Sequence, residues 1–254
     1  MHYKMLATDL DNTLLRSDGS ISPYTLSVLN ALQKGGTFIC FATARPERAT
    51  HRFRNGFKPD AVVANNGATI WLNGVKVHEM LIDAATINAL IAAFNEEQRI
   101  SNYTLEIGDA LLTTYHGEEW EPGWSPKYHL FTTPFTQGYP KISAECTDAK
   151  LLEKLLAPYP KVHLFTDTSS SWHQIMHEGA SKINGLSSLC AQLGFSPSDV
   201  VAFGDDHSDI GMLRGCGLGV AMQNAIPEVL AAANEICSSN DEDGMAHWVA
   251  KHLL

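Results

Sequence analysis

The first residues able to do chemistry together are Asp9 and Asp11, which directly follow a short apolar run ending at Thr8. Two carboxylates two residues apart can project into one pocket from the same loop. One of them can attack a phosphorus atom while the other protonates the leaving oxygen, provided that burial or its neighbour raises the pKa of the second. Aspartates also follow strands as simple turn formers, and for an isolated pair that explanation is the stronger one.

A second acidic cluster favours a chemical role for these aspartates over a role as turn formers. Asp205, Asp206 and Asp209 follow the apolar run Val200–Phe203 and precede a helical segment. Crowded carboxylates repel one another and destabilise the folded protein unless a cation lies among them. Mg²⁺ is the hard cation that such oxygen ligands suit. Acidic residues at the start of a helix also complement its dipole, which accounts for Asp206 and Asp209 but less naturally for a cluster that begins at the strand end.

Thr43 and Lys182 add a hydroxyl donor and a cation to these acidic groups. A phosphoryl group spreads its charge over several oxygens during transfer, so fixed donors and a cation are what the reaction requires. Taken singly, Thr43 is an ordinary residue at a strand end and Lys182 an ordinary surface lysine. The combination of the four sets of residues predicts phosphoryl transfer. Arg45 is close enough to Thr43 to reach a substrate, although an arginine at a helix start is equally often a surface residue.

The elements that must position these residues alternate between strands and helices. Apolar runs end at Thr8, Ala42 and Ala64, each before a cluster of small or polar residues. Between the first two runs, Ser22 ahead of a proline predicts a helix start, and Gly35 predicts its end. This alternation is typical of an α/β fold. We predict a Rossmann-like, doubly wound parallel sheet whose ligand loops gather at the carboxyl ends of the strands.

The middle third of the chain has a different pattern. Asn73-Gly74 is a strong signal for a two-residue hairpin, and Asp83 opens an alanine-rich helix that is expected to run to about Phe94. Short strand-like pieces, aromatic residues and prolines follow until the α/β alternation returns after Gly179. We predict an α+β cap domain at residues 83–178, inserted into a core made of residues 1–82 and 179–254.

Composition excludes several classes of partner. The 254-residue chain has a formal net charge of −10 and no cluster of Lys and Arg, which argues against nucleic acid and anionic membranes as partners. No apolar run approaches the roughly 20 residues that span a bilayer. The five cysteines form no Cys-x-x-Cys pair, which favours buried free thiols in a reducing compartment. These features predict a cytoplasmic protein.

The order of these motifs resembles that of the haloacid-dehalogenase superfamily of phosphatases. The residues that carry the resemblance are Asp9-x-Asp11-x-Thr13, Thr43, Lys182 and Gly204-Asp205-x-x-Ser208-Asp209. Three further segments resemble the Cof-type branch, class IIB, which has an α/β cap inserted between its second and third motifs. They are Asn66-Gly67-Ala68, Glu178-Gly179-x-x-Lys182-x-x-Gly185-Leu186 and Val220-Ala221-Met222-x-Asn224-Ala225. The cap itself matches only in position and size.

The resemblance implies a role for each matching residue. Asp9 would be the nucleophile, and Asp11 the general acid and base. The metal site implied for Mg²⁺ consists of Asp9, Asp11 through its backbone carbonyl, Asp205 and Asp209. The phosphate site implied consists of Leu10, Thr43, Ala44, Lys182 and Ser208. The family usually has Asn in place of Ser208, and often Gly in place of Asn12, although Asn tolerates a left-handed backbone.

By the same resemblance, the substrate would be a small phosphate ester, with sugar phosphates expected first and phosphorylated cofactors such as pyridoxal phosphate second. A monomer or a small homo-oligomer is expected. Three other functions stay open: a phosphotransferase or phosphomutase that uses the same chemistry, a receiver-like module that is phosphorylated on Asp, and a non-catalytic member of the family. The cap aromatics Trp120, Trp124 and Trp172 are expected in its core more than in a pocket.

Overall fold

The computed structural model describes residues 3–54, 56–117, 120–166 and 170–254. The strands are β1 (Met5–Thr8), β2 (Phe38–Ala42), β3 (Ala61–Ala64), β4 (Thr69–Leu72), β5 (Val75–Glu79), β6 (Ile100–Glu106), β7 (Leu111–Thr113), β8 (Pro126–Tyr128), β9 (Lys141–Cys146), β10 (Val162–Thr166), β11 (Trp172–His177), β12 (Val200–Gly204), β13 (Leu218–Met222) and β14 (Glu235–Cys237). The α-helices are α1 (Pro23–Lys34), α2 (Ala84–Glu96), α3 (Ala149–Leu156), α4 (Lys182–Leu193), α5 (Ile210–Gly215), α6 (Pro227–Leu230) and α7 (Gly244–His252).

The chain forms two compact units. One consists of Met1–His78 and Ser181–Leu254, and the other consists of Glu79–Ala180. The first unit is built on an eight-stranded sheet with the order β14-β13-β12-β1-β2-β3-β4-β5. The strands from β14 to β3 run parallel, and β4 turns antiparallel to β3. The predicted α/β fold with a Rossmann-like parallel sheet is therefore confirmed.

Strand β1 lies at the point where the strand order reverses. The chain continues from β1 to β2 and β3 on one side, whereas β12, β13 and β14 are added on the other side. Thr8 is in register with Phe41 of β2 and with Phe203 of β12. The residues that follow these three strands therefore leave the sheet at the same edge. In open α/β sheets, ligands bind at this edge beside the strand where the order reverses.

Two apolar layers cover this sheet. On one face, Leu6 and its neighbours pack against α1 and α7, and on the other face Met5 and Ala7 pack against α4 and α5. This alternation in β1 follows from the two-residue period of a strand, and burial on both faces explains why the run contains no charge. As predicted, the Ser22 side chain accepts a hydrogen bond from Thr25 N, at 3.0 Å, to cap α1.

The second unit contains a six-stranded sheet with the order β10-β11-β9-β6-β7-β8. All neighbours are antiparallel except β7 and β8, which run parallel. Residues of α2 and α3 pack against one face of this sheet. The Asp83 side chain caps α2 as predicted, and the helix runs to Glu96, two residues beyond the expected end.

The structure differs from the sequence-based expectation near the carboxyl terminus. The segment from Ile226 to Ala233 predicts a helix, but α6 ends at Leu230, and a strand that the sequence does not predict, β14, follows. Asn234 explains the early end, because its backbone N donates to Gly219 O and its side chain accepts from Gly219 N, both at 2.8 Å. This pairing ties the chain to β13 and prevents a further helical turn.

The predicted hairpin and the predicted free cysteines both occur in the structure. Asn73 and Gly74 both have positive φ, at 53° and 83°, as a two-residue hairpin between β4 and β5 requires. All five cysteines are free thiols, and four of them are buried. None of the helices in the described part of the chain is long and apolar enough to cross a membrane.

Candidate active site

The acidic motifs meet at the carboxyl edge of the parallel sheet. Asp9 directly follows β1, and its backbone N donates to Phe203 O of β12 at 3.0 Å. Asp205 directly follows β12, and Thr43 directly follows β2, where its backbone N donates to Val63 O at 2.8 Å. The parallel ladder therefore brings to one edge residues that are up to about 200 positions apart in the chain.

Three carboxylates form a buried cluster at this edge. Oxygen atoms of Asp9, Asp205 and Asp209 lie within 4.8 Å of one another. Thr13 Oγ1 donates to Asp205 Oδ1 at 2.6 Å. Asp209 Oδ2 accepts from the backbone N atoms of Asp205 and Asp206, both at 3.0 Å. These hydrogen bonds fix the positions of two of the three carboxylates before any ligand binds.

A glycine allows Asp209 to approach the end of β12. A Cβ atom at Gly204 would lie 2.4 Å from Asp209 Cβ, a distance that real structures do not tolerate. The glycine in the Gly204-Asp205 motif therefore makes room for a carboxylate of the same motif.

Lys182 is the cation within this cluster. Its Nζ lies 2.7 Å from Asp9 Oδ1 and 2.7 Å from Asp209 Oδ1, and its side chain is only 2% exposed. Three carboxylates around one ammonium leave an excess of negative charge in a buried place. Asp209 uses one oxygen for Lys182 and the other for backbone amides, which makes it a fixed anchor for the lysine.

The pKa shifts reflect this crowding. Burial raises the pKa of Asp9 well above its usual value, and the Asp209 and Asp205 carboxylates raise it further, against the lowering effect of Lys182. Burial also raises the pKa of Asp205 to about 7, and the Asp209 charge acts in the same direction. Burial alone would lower the pKa of Lys182, but the Asp209 and Asp9 carboxylates outweigh it and raise that pKa.

The cluster suits a hard divalent cation. Its donors are carboxylate oxygens, and the raised pKa values show that burial and the neighbouring carboxylates disfavour the charged forms. A divalent cation would supply the missing charge. The chemistry of the residues therefore fits the metal that the family resemblance implies.

Asp11 lies outside this cluster and is bound by Arg45. Arg45 Nε donates to Asp11 Oδ2 at 2.8 Å and Nη2 donates to Oδ1 at 2.7 Å, in the two-pronged geometry of a strong ion pair. The Arg45 side chain is 12% exposed and the Asp11 side chain 48%. The Arg45 guanidinium also lies over the Phe53 ring, 5.3 Å from its centre. Sequence reasoning left Arg45 undecided, and its position two residues after Thr43 was the only signal.

The turn after β1 explains another motif. Asn12 has a φ of 55°, the left-handed conformation that Asn tolerates and in which the family often has Gly. Asn224 Nδ2 donates to Asn12 O at 2.8 Å, and Asn224 Oδ1 accepts from Asn240 N at 3.0 Å. The Val220–Ala225 segment thus supports the loop that carries Asp9 and Asp11.

The residues assigned to phosphate binding have different environments. Thr43 is buried, and its Oγ1 accepts a hydrogen bond from Arg45 N at 3.2 Å. The Leu10 side chain belongs to the apolar core, so only its backbone is suited to an anion. Ala44 is partly buried, and Ser208 is partly buried in the turn before α5. Their contact with phosphate stays a prediction.

Glycines also set the position of Lys182. Gly67 has a φ of 92°, and a Cβ atom there would lie 2.0 Å from Ser181 O, one residue before the lysine. A Cβ atom at Gly185 would lie 2.5 Å from Val63 Cγ1. The first turn of α4 can therefore pack against the loop after β3 only because two glycines meet there. This packing accounts for the glycines in two of the Cof-type motifs.

We predict that Gly67→Ala destabilises the protein by more than about 3 kcal/mol, since it combines backbone strain with a steric clash. The matched control is Gly74→Ala, where φ is 83° and no atom lies within 4 Å of the added Cβ. The control should lose only about 1–2 kcal/mol, the cost of the left-handed backbone. Urea unfolding of both variants measures the difference, and equal losses would contradict the close approach to Ser181.

The chain is similar to known proteins over almost its whole length. Residues 6–249 match the family model described as haloacid dehalogenase-like hydrolase. A Bacillus subtilis protein named 5-amino-6-(5-phospho-D-ribitylamino)uracil phosphatase is 26% identical over 98% of this chain and 97% of its own length. The pyridoxal phosphate phosphatase of Escherichia coli is 26% identical over the full length of both chains.

A solved structure supports the fold. The crystal structure of a haloacid dehalogenase-like hydrolase from Bacteroides thetaiotaomicron superposes with a TM-score of 0.85 at 23% identity, and it covers 98% of this chain and 99% of that chain. The match to the family model over residues 6–249 confirms the resemblance inferred from the motifs.

Proposed function

The chain belongs to the haloacid dehalogenase-like hydrolases, and from that premise we propose that it is a Mg²⁺-dependent phosphatase that forms an aspartyl-phosphate on Asp9. The observation that carries this proposal is the buried cluster of Asp9, Asp205 and Asp209 with Lys182 as its cation. Such a cluster is costly for stability, as sites kept for function often are.

In the first step, an Asp9 carboxylate oxygen bonds to phosphorus while the ester P–O bond breaks. Asp11 supplies the proton that the leaving alcohol oxygen takes up. Lys182 and Thr43 hold the phosphoryl oxygens as charge builds on them. In the second step, water bonds to phosphorus and gives a proton to Asp11, and the bond between phosphorus and Asp9 breaks.

The metal site would use the carboxylates of Asp9 and Asp205 and the backbone carbonyl of Asp11, with Asp209 completing the acidic set. Mg²⁺ bound there would neutralise substrate charge and orient the phosphate. In the structure, both Asp11 carboxylate oxygens are hydrogen-bonded to the Arg45 guanidinium, so the carboxylate faces Arg45 and not a leaving group. Arg45 must therefore release Asp11 before the leaving oxygen is protonated.

The relatives support a small phosphorylated metabolite as the substrate. Two of them are named as phosphatases of a phosphorylated ribitylaminouracil and of pyridoxal phosphate. Sugar phosphates remain our first expectation. The proposal also includes a cap at residues 83–178 that selects the substrate, a cytoplasmic location supported by the free thiols, and a monomer or small homo-oligomer.

The test combines turnover and metal binding in one set of variants. We expect the wild type to release phosphate from at least one member of a panel of sugar phosphates, nucleotides and pyridoxal phosphate with Mg²⁺, and to stop in EDTA. Mg²⁺ at 100 times its Kd should also add about 2.7 kcal/mol of stability, visible as a higher Tm. Asp205→Asn should lose both effects.

The matched control is Asp206→Asn, the neighbouring carboxylate, which is exposed and lies outside the three-residue cluster. It should keep both effects. Phosphate release that survives EDTA, or a Tm shift by Mg²⁺ that Asp205→Asn retains, would contradict the proposed metal site.

A further inference from the structure

The loop after β1 is bound by a segment from the far end of the chain, residues 240–243. The Asn240 side chain is buried, and its Nδ2 donates to Leu15 O at 2.9 Å. The Asn240 backbone N donates to Asn224 Oδ1 at 3.0 Å, and Asn224 Nδ2 donates to Asn12 O at 2.8 Å. Two connected asparagines therefore hold one backbone carbonyl at each end of this turn.

Charged and hydroxyl groups fix the same segment against the loop and the start of α1. Asp243 accepts from Arg16 Nη2 at 2.7 Å and from Thr25 Oγ1 at 3.1 Å. Asp241 accepts from the backbone N and the Oγ of Ser17, both at 2.8 Å. The position of the segment therefore does not depend on the Asn240 side chain alone.

The turn that the two asparagines hold sets the direction of Asp11. Asp11 has an extended backbone, with a φ of −68° and a ψ of 129°, whereas Asn12 is left-handed, with a φ of 55° and a ψ of 7°. A left-handed residue other than glycine is strained and persists only where its surroundings hold it. The hydrogen bond from Asn224 Nδ2 to Asn12 O is one such restraint.

Asp9 has support of its own, whereas Asp11 depends on this turn. The Asp9 backbone N is bonded to β12, and its carboxylate is bonded to Lys182. The Asp11 carboxylate is bonded to Arg45, which must release it before the leaving oxygen is protonated. After that release, the half-exposed Asp11 side chain is positioned by its backbone.

We propose that Asn240 and Asn224 are positioning residues for the general acid, Asp11. They hold the turn at Asn12, so that the Asp11 carboxyl faces the leaving oxygen once the arginine has withdrawn. Both asparagines act through backbone carbonyls of the loop and not through the substrate. This role rests on the proposed phosphatase function, in which Asp11 protonates the leaving oxygen.

Two substrates with the same ring measure how well the acid is placed. Phenol is a much weaker acid than p-nitrophenol, so the release of phenol from phenyl phosphate depends far more on protonation. We expect Asn240→Ala and Asn224→Ala each to lower kcat/KM for phenyl phosphate about tenfold, because a small misplacement of a reacting group is costly. The value for p-nitrophenyl phosphate should fall less than about threefold, since its leaving group needs little help from an acid.

Asn30→Ala is the matched control for a lost asparagine side chain. Asn30 Nδ2 also donates to backbone carbonyls, those of Leu26 and Gly56, but it lies on α1. This variant should leave the ratio of the two kcat/KM values at the wild-type level. Asp11→Asn removes the acid itself and should change that ratio the most.

Hydrogen exchange in the full-length protein gives a second readout that does not need turnover. Backbone amides of residues 10–15 should exchange about five to ten times faster in Asn240→Ala and Asn224→Ala, the effect of losing one net hydrogen bond. Asn30→Ala should leave the exchange of these amides unchanged. Asn224 is exposed, so Asn224→Ala carries the test if Asn240→Ala does not fold.

Two results would overturn the positioning role. One is an equal loss of kcat/KM for both substrates, or no loss, in the two asparagine variants of an active enzyme. The other is unchanged exchange at residues 10–15 in both variants. If the wild type turns over neither substrate, the exchange result alone decides whether the asparagines hold the turn. Failure of the proposed phosphatase is therefore distinguishable from failure of this role.

Discussion

Asp9→Asn should reduce phosphate release by at least about 10³-fold, the scale seen when a nucleophile is removed. The substitution keeps the size of the side chain and an oxygen that can accept from Lys182 Nζ, now 2.7 Å from Asp9 Oδ1. It removes the charged oxygen that would attack phosphorus. The fold and the position of Lys182 should therefore survive while the reaction does not.

The same variant should be at least as stable as the wild type in EDTA. Burial raises the pKa of Asp9, so its charged form is held in the fold at a cost that Asn does not carry. Stability therefore rises as activity falls, which a general packing defect would not produce.

The control for this experiment is Asp109→Asn, the same chemical change at an exposed position of the inserted unit. It should leave both turnover and Tm at the wild-type level. Activity of Asp9→Asn within about tenfold of the wild type would place the nucleophile elsewhere, because loss of the attacking group costs far more than that.

The sequence was sufficient for the acidic part of the site because the signals are local. Asp9 and Asp205 each follow an apolar run, and parallel strands place such positions at one edge. No tertiary detail was needed for that step. Gly204 also indicated a site at the end of β12. The steric reason for a glycine there, the close approach of Asp209, appears only in three dimensions.

Other parts of the site depend on packing between distant segments. The pair of Asp11 and Arg45 joins two loops 34 residues apart, and a sequence pattern does not reveal which oxygen faces which nitrogen. The sequence left the direction of the tryptophans of the inserted unit open for a similar reason. Whether Trp172 points to the core or away from it depends on the pairing of β11 with β9, where Trp172 lies opposite Glu145.

Lys182→Met should lower the free energy of unfolding by about 3–5 kcal/mol at pH 8 in EDTA, the cost of leaving a buried charge without its partner. The lysine ammonium is shared by Asp9 and Asp209, both buried, so one substitution leaves two carboxylates uncompensated. Phosphate release measured with Mg²⁺ should be lost as well, since the ammonium that we propose to hold the phosphoryl oxygens is then missing.

The loss should be smaller at pH 5 than at pH 8. The pKa of Asp9 is raised in the folded protein, so folding favours the protonated form, and the stability that this form contributes disappears as pH rises through the folded pKa. Removing the Lys182 charge raises the pKa of Asp9 further. The pH range over which the free energy of unfolding falls therefore becomes wider. Urea unfolding at the two pH values measures the difference, and Lys58→Met, an exposed lysine, should show none.

The double variant Lys182→Met with Asp209→Asn separates charge from packing. If uncompensated charge causes the loss, removing the Asp209 charge should restore part of the stability, so that the double variant is more stable than Lys182→Met alone. If lost packing causes it, the two substitutions should add, and the double variant should be the least stable. The first outcome would identify the lysine as the group that allows the acidic cluster to be buried without metal, and the second would remove that role.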